Sequence, residues 1–135
     1  MMEPERILEM ISELKIDKEF AVGNDIVFIP NFTDTFNELF QKKVYTTSEI
    51  DYCDSFSDPI LRYGSTWAAK EAVYKAVKQL DKTLMGWKDI EVLREKASGE
   101  PLVTLHKHPE KFQISLTISH DGEYVWAFAM IKHKL

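Results

Sequence analysis

Residues 58–80 read DPILRYGSTWAAKEAVYKAVKQL, and they set the architecture of everything around them. Asp58 followed by Pro59 is an N-cap and first-turn pair, because an aspartate oxygen can accept from a free backbone N–H and proline has no N–H to leave unpaired. Behind it Ala69, Ala72, Val73, Ala76, Val77 and Leu80 fall on one stripe, which predicts a long core helix ending near Leu80. Glu71 and Lys75 lie about 150° and 110° from the centre of that stripe. Spacing alone reads them as an exposed pair one helical turn apart, a common arrangement worth only a few tenths of a kcal/mol. Lys70, Tyr74 and Lys78 lie near the same side, which is either a solvated face or the wall of an anion site.

Upstream, Thr46 with Glu49 three positions later forms a capping box at the start of another helix. Phe36, Leu39 and Phe40 predict a helix over Thr33 to Lys43, and Phe20 to Ile29 (FAVGNDIVFI) reads as a strand stopped by Pro30 and Asn31. Ile7, Leu8, Ile11 and Leu14 predict a short amphipathic helix ahead of it. Downstream of Gly86 the pattern turns to strands: Ile90 to Arg94, a turn at Ser98-Gly99-Glu100-Pro101, Leu102 to His106, Gln113 to Ser119, and Glu123 to Lys132. Asp121-Gly122 is the tight-hairpin signal between the last two, expected as a turn with both central residues at positive φ. The sum is an α+β fold, a mainly antiparallel sheet packed on a long central helix, in one domain over residues 1–135 with 1–19 as an N-terminal helical extension.

Size and charge narrow the function. At 135 residues and 15.7 kDa the chain can bury about two thirds of its unfolded surface, enough for one core. Lys and Arg number 17 against 22 Asp and Glu, a net charge of −5, which lacks the basic footprint that nucleic-acid-binding domains use on phosphates. Cys53 is the single cysteine, so no intrachain disulfide forms, in keeping with a reducing compartment. Met1 to Met10 carry Glu3, Glu5 and Arg6 rather than a signal-peptide pattern, and the longest later apolar run, Val125 to Ile131, is far too short for a membrane span. The expectation is a cytoplasmic chain with neither nucleic acid nor membrane as partner.

Asp25 alternates with Gly23, Val27 and Ile29 on one strand face, so its carboxylate points where apolar neighbours point. A buried anion needs a cation, a cluster of donors or a proton, and either a structural cap or a metal site satisfies that need. His120 sits at the mouth of the last hairpin, placed either to meet a phosphate or to satisfy turn groups. Gly-rich phosphate loops, paired-cysteine metal spacings and a Ser-His-Asp nucleophile elbow are all missing, which disfavours those enzyme classes.

In order along the chain, Gly23-Asn24-Asp25-Ile26-Val27, Thr47-Ser48-Glu49-Ile50-Asp51-Tyr52-Cys53, Trp67-Ala68-Ala69-Lys70-Glu71-Ala72-Val73-Tyr74-Lys75-Ala76, Trp87-Lys88-Asp89-Ile90-Glu91-Val92, Gly99-Glu100-Pro101 and Ile118-Ser119-His120-Asp121-Gly122-Glu123-Tyr124 resemble the motifs of the 4′-phosphopantetheinyl transferases, holo-[acyl-carrier-protein] synthase type. The resemblance covers all but about the first 20 residues. It implies transfer of the phosphopantetheine arm of coenzyme A to a serine of an apo acyl carrier protein in fatty-acid biosynthesis, with release of adenosine 3′,5′-bisphosphate. Asp25 and Glu71 match the family's Mg²⁺ ligands, and Lys75 matches its catalytic lysine. Lys70, Ser119 and His120 would be phosphate or coenzyme contacts, and the assembly would be a homotrimer with coenzyme sites between subunits.

For Lys75 to act as a general base, its amine would have to be neutral near pH 7, roughly three units below the usual 10.4, or about 4 kcal/mol of bias. Glu71 one turn away biases the other way, so a fixed positive charge beside the phosphate is the favoured role, with proton removal left to a carboxylate or a metal-bound water. Three positions depart from the family's basic pattern: Asn31, Thr66 and Glu100. They bear on carrier recognition, where complementary charge orients the encounter. They also motivate a competing reading, a coenzyme- or carrier-binding homologue without transfer activity.

Overall fold

A computed structural model of the chain describes residues 2–13 and 19–134. Helix α1 (Pro4–Glu13) precedes strand β1 (Phe20–Phe28), which runs directly into α2 (Ile29–Thr35), α3 (Glu38–Val44) and α4 (Thr47–Asp54). The long helix α5 (Pro59–Leu80) follows, then a 3₁₀ turn (Trp87–Asp89) and strands β2 (Ile90–Arg94), β3 (Pro101–Leu105), β4 (Phe112–Asp121) and β5 (Tyr124–His133). The strands form an antiparallel sheet ordered β1-β5-β4 and a separate β2–β3 hairpin. The expected α+β architecture, antiparallel sheet on a central helix, is the observed one.

The central helix starts where its cap predicts, with the Asp58 carboxylate accepting from the Leu61 N–H. Its interior face is nearly all small: Ala68, Ala69, Ala72, Val73 and Ala76 are fully buried, as are Val125, Ala127 and Ala129 of β5. Small residues on both sides bring helix and sheet close. Closest of all is β1, where a β-carbon at Gly23 would stand 2.1 Å from the Ala72 carbonyl oxygen and 2.8 Å from the Ala76 nitrogen. That approach places the next inward residue of β1, Asp25, beside the same helix.

Two expectations are corrected. The helix predicted over Thr33 to Lys43 is two helices, because Phe36 and Asn37 are extended and the Asn37 side chain accepts from the Phe40 N–H at 2.8 Å, capping a new start. The last hairpin turns at Gly122-Glu123, since Asp121 pairs with Tyr124. Gly122 alone has positive φ, at 58°, the pattern of a turn that needs a left-handed residue only at its first central position. Of the N-terminal apolar set, Ile7 and Leu8 lie on α1 and are exposed, while the side chains of Ile11 and Leu14 lie outside the described residues. Among the described residues, no helix is long and apolar enough to cross a membrane.

Candidate active site between β1 and α5

Alternation along β1 turns Ala21, Gly23, Asp25 and Val27 toward α5 and leaves Phe20, Val22 and Ile26 exposed. Facing Asp25, α5 offers Glu71 and, one turn on, Lys75. The Lys75 ammonium donates to Asp25 Oδ1 at 2.9 Å and to the Asn24 carbonyl at 3.2 Å. The exposed Glu71–Lys75 pairing suggested by spacing is therefore replaced by one that crosses from helix to strand. Proximity to β1 decides it, since Gly23 draws the strand within reach of the lysine.

Glu71 is left with Asp25 as a close neighbour. Burial first, and then the charge of Asp25, push its carboxyl up to about 7, while the Lys75 ammonium and the Trp67 indole pull the other way. The hydrogen bond to Asp25 holds the Lys75 amine above its ordinary value, so this lysine is a cation at neutral pH. A pocket of about 360 Å³ opens over the two carboxylates, lined by Asp25, Asn31, Thr35, Trp67, Glu71 and Tyr124 among others.

Lys70, expected at the coenzyme, points into the interior. Its ammonium lies 2.7 Å from Glu49 Oε1, 2.8 Å from the Val44 carbonyl, 2.9 Å from that of Trp87 and 2.7 Å from that of Ile90, with no exposure at all. Four oxygens around one nitrogen call for the protonated form and leave it nothing to offer a ligand. Glu49 is equally enclosed. One oxygen also accepts from the Thr46 N–H and the other from the Val92 N–H, both at 2.8 Å, so the capping-box glutamate doubles as the partner of Lys70. Burial pushes Glu49 up and Lys70 down, and each partner pulls the other back toward its charged form.

Ser119 and His120 are exposed on opposite faces of β4, Ser119 opposite Trp126 and His120 opposite Val125. Asp25 pairs with Ala127, which also pairs with Ile118. His120 therefore sits one row nearer the hairpin and two strands across from β1, about 10 Å away laterally. His120 is thus on the same, helix-facing side of the sheet as Asp25 but at its far edge, while Ser119 is on the opposite side. Of the three positions that depart from the basic pattern, Asn31 lines the carboxylate pocket, Thr66 is buried with its hydroxyl 3.8 Å from Cys53 Sγ, and Glu100 is exposed before β3. Arg62, Arg94 and Lys96 meet Tyr52 and Phe56 around a separate pocket of about 560 Å³, with the Arg62 guanidinium 4.1 Å from the Phe56 ring centroid. That cationic pocket was not legible in sequence, since its residues come from three elements.

Among the described residues no three His, Cys, Asp or Glu side chains cluster as a metal site. Asp25 and Glu71 nonetheless fit Mg²⁺, which takes one or two protein carboxylates and fills the rest of its octahedron with water and substrate phosphate. A half-buried carboxyl beside a second one, held up first by burial and then by that neighbour's charge, gains from a divalent cation.

The sequence profile of the 4′-phosphopantetheinyl transferase superfamily matches residues 21–129, and the chain belongs to that family. Within the class it is similar to the holo-[acyl-carrier-protein] synthases. That of Chlorobaculum parvum is 36% identical over 114 residues, 82% of this chain and 97% of the relative. That of Aquifex aeolicus is 30% identical over 120 residues, 84% of this chain and 98% of the relative. Among solved structures, an ACPS–CoA complex from Chronobacterium ammoniagenes superposes with a TM-score of 0.74 at 24% identity, covering 87% of this chain and all (100%) of the other. The Helicobacter pylori holo-[acyl-carrier-protein] synthase in complex with coenzyme A gives 0.62 at 29% identity, covering 84% and 99%.

Proposed function

We propose that the protein transfers the 4′-phosphopantetheine arm of coenzyme A to a serine of an apo acyl carrier protein, in a Mg²⁺-dependent reaction that releases adenosine 3′,5′-bisphosphate. The observation that carries this is the meeting of Asp25, Glu71 and Lys75, from β1 and α5, with the two carboxylates lining a pocket and the lysine bonded to Asp25. Family membership and the similarity to holo-[acyl-carrier-protein] synthases support the substrate pair.

Asp25 and Glu71 would hold the magnesium ion, which when bound offsets charge on the pyrophosphate of the coenzyme. The serine oxygen attacks the phosphorus next to pantetheine, forming the new O–P bond. The bridging P–O bond breaks and its electron pair departs on adenosine 3′,5′-bisphosphate. Lys75, already positive, stands where negative charge collects on the phosphates and needs no reorganisation to meet it. The proton lost by the serine passes to a carboxylate or to water. His120 and Ser119 are proposed as coenzyme contacts contributed across a subunit boundary, a reading favoured by their distance from Asp25, with His120 two strands away on the same sheet face and Ser119 on the opposite one. Lys70 is not among them.

A homotrimer is supported by the outward face of the main sheet, where Val22, Ile26, Tyr124, Trp126, Phe128 and Met130 are all exposed. An apolar face of this kind marks an interaction surface. The site is proposed to work in the cytoplasm, on the carrier of fatty-acid synthesis. The competing reading, a coenzyme- or carrier-binding homologue without transfer, rests on Asn31, Thr66 and Glu100. Thr66 is weak support because it is interior. Intact-mass spectrometry of an apo carrier incubated with the protein, coenzyme A and Mg²⁺ tests the proposal. A gain of one phosphopantetheine mass is expected. No gain on several carriers that a known transferase does modify would overturn it, and coenzyme binding without that gain would favour the competing reading.

A further inference from the structure

We infer that the buried Glu49–Lys70 pair is the positioning element of this site, fixing the rotation of α5 so that Glu71 faces Asp25. The inference rests on the reading of Asp25 and Glu71 given above. Successive helix residues point about 100° apart, so anchoring Lys70 aims Glu71. The anchor is over-determined. Lys70 is tied at once to the last residue of α3 (Val44), to α4 (Glu49), to the 3₁₀ turn (Trp87) and to the start of β2 (Ile90), all within 2.9 Å. Glu49 is itself pinned to the Thr46 and Val92 N–H groups. On the other flank of Glu71, the Ala72 carbonyl abuts Gly23, so α5 cannot roll further toward β1.

The same anchor reaches the pocket by a second route. Trp87, whose carbonyl Lys70 holds, packs its ring 4.7 Å from that of Trp67, and Trp67 lines the pocket beside Glu71. Stability alone is a poor reason for such a pair, because a buried ion pair repays its desolvation only partly and apolar replacements are often neutral or better. The interior positions of α5 closest to Lys70 in sequence, Ala68, Ala69, Ala72 and Val73, are alanine and valine. Specific orientation is what an enclosed lysine offers here that a methionine would not.

The test compares Lys70→Met, which strands a buried carboxylate, with the double variant Glu49→Gln/Lys70→Met, which removes both charges and keeps an amide oxygen for the Val92 N–H. The double variant is expected to recover most of the thermal stability lost in the single one. Its kcat should stay down about a hundred-fold, the scale of an ångström-sized misplacement, with KM for the carrier changed less than about twofold. Calorimetric titration of Mg²⁺ in the presence of coenzyme A should show affinity weakened about tenfold or more, as for other outer-sphere changes. A double variant with wild-type kcat and wild-type Mg²⁺ affinity overturns the inference. A wild-type protein that transfers nothing defeats the functional reading instead, while the Mg²⁺ titration still judges the pair. A structure of the unaltered protein with coenzyme A and Mg²⁺ needs no variant: Lys70 should remain on Glu49 and the three carbonyls, and a Lys70 found on a coenzyme phosphate contradicts the inference.

Discussion

Gly23 and Ala72 are in backbone contact: a β-carbon at Gly23 would lie 2.1 Å from the Ala72 carbonyl oxygen. The glycine is there for space, and what it makes room for is the meeting of Asp25 with Glu71 and Lys75. Gly23→Ala should therefore push β1 off α5, lowering stability by about 1–3 kcal/mol or more, as overpacking does, and taking transfer activity down with it. Urea denaturation and a transfer assay check this. A fully stable, fully active alanine variant would show that the contact is not what sets the site.

Glu71 yields a pH prediction. Its folded pKa, about 7, is above the ordinary 4.5, so the unfolded chain gives up this proton at lower pH than the folded one. The contribution to stability is fully present below about 4.5 and is lost as pH rises through about 7. In metal-free protein the urea midpoint should fall across that window, and Glu71→Gln should flatten the fall. A midpoint equally pH-dependent in the glutamine variant would place the titrating group elsewhere.

Lys75 distinguishes charge from base. As a fixed cation, Lys75→Arg should retain at least about a tenth of the activity, whereas Lys75→Met should lose about a hundred-fold or more, the cost of one electrostatic group in a preorganised site. An arginine variant as inactive as the methionine one would point to proton transfer by the lysine amine.

The outer sheet face bears on assembly. Trp126 is half-exposed in the single chain and central among its apolar neighbours on β5. Trp126→Glu should convert a trimer into monomers in sedimentation experiments. A wild-type protein that sediments as a monomer removes the basis for subunit-shared coenzyme sites.

Much of this architecture was readable from residue order. The α5 boundaries follow from Asp58-Pro59 and from an alanine–valine stripe that continues without interruption, and the inward phase of Asp25 follows from strand alternation. The break at Asn37 was not readable, because Phe36, Leu39 and Phe40 keep helical spacing across the cap. Nor was the Glu49–Lys70 pair. Glu49 already had a local task at the helix start, Lys70 sat among other polar residues, and only the tertiary fold shows that two residues 21 positions apart close on a single buried contact. The meeting of Asp25 with Glu71 was accessible through family resemblance, since no local pattern links a strand to a helix so far downstream.

The claim on which the account depends is that Asp25 and Glu71 together hold one divalent cation for the reaction. Calorimetric titration of Mg²⁺ into the protein with coenzyme A, repeated for Asp25→Ala and Glu71→Ala, addresses it directly. The account predicts one ion per site in the unaltered protein and loss of that binding in each variant. Unchanged Mg²⁺ binding in both variants would contradict it.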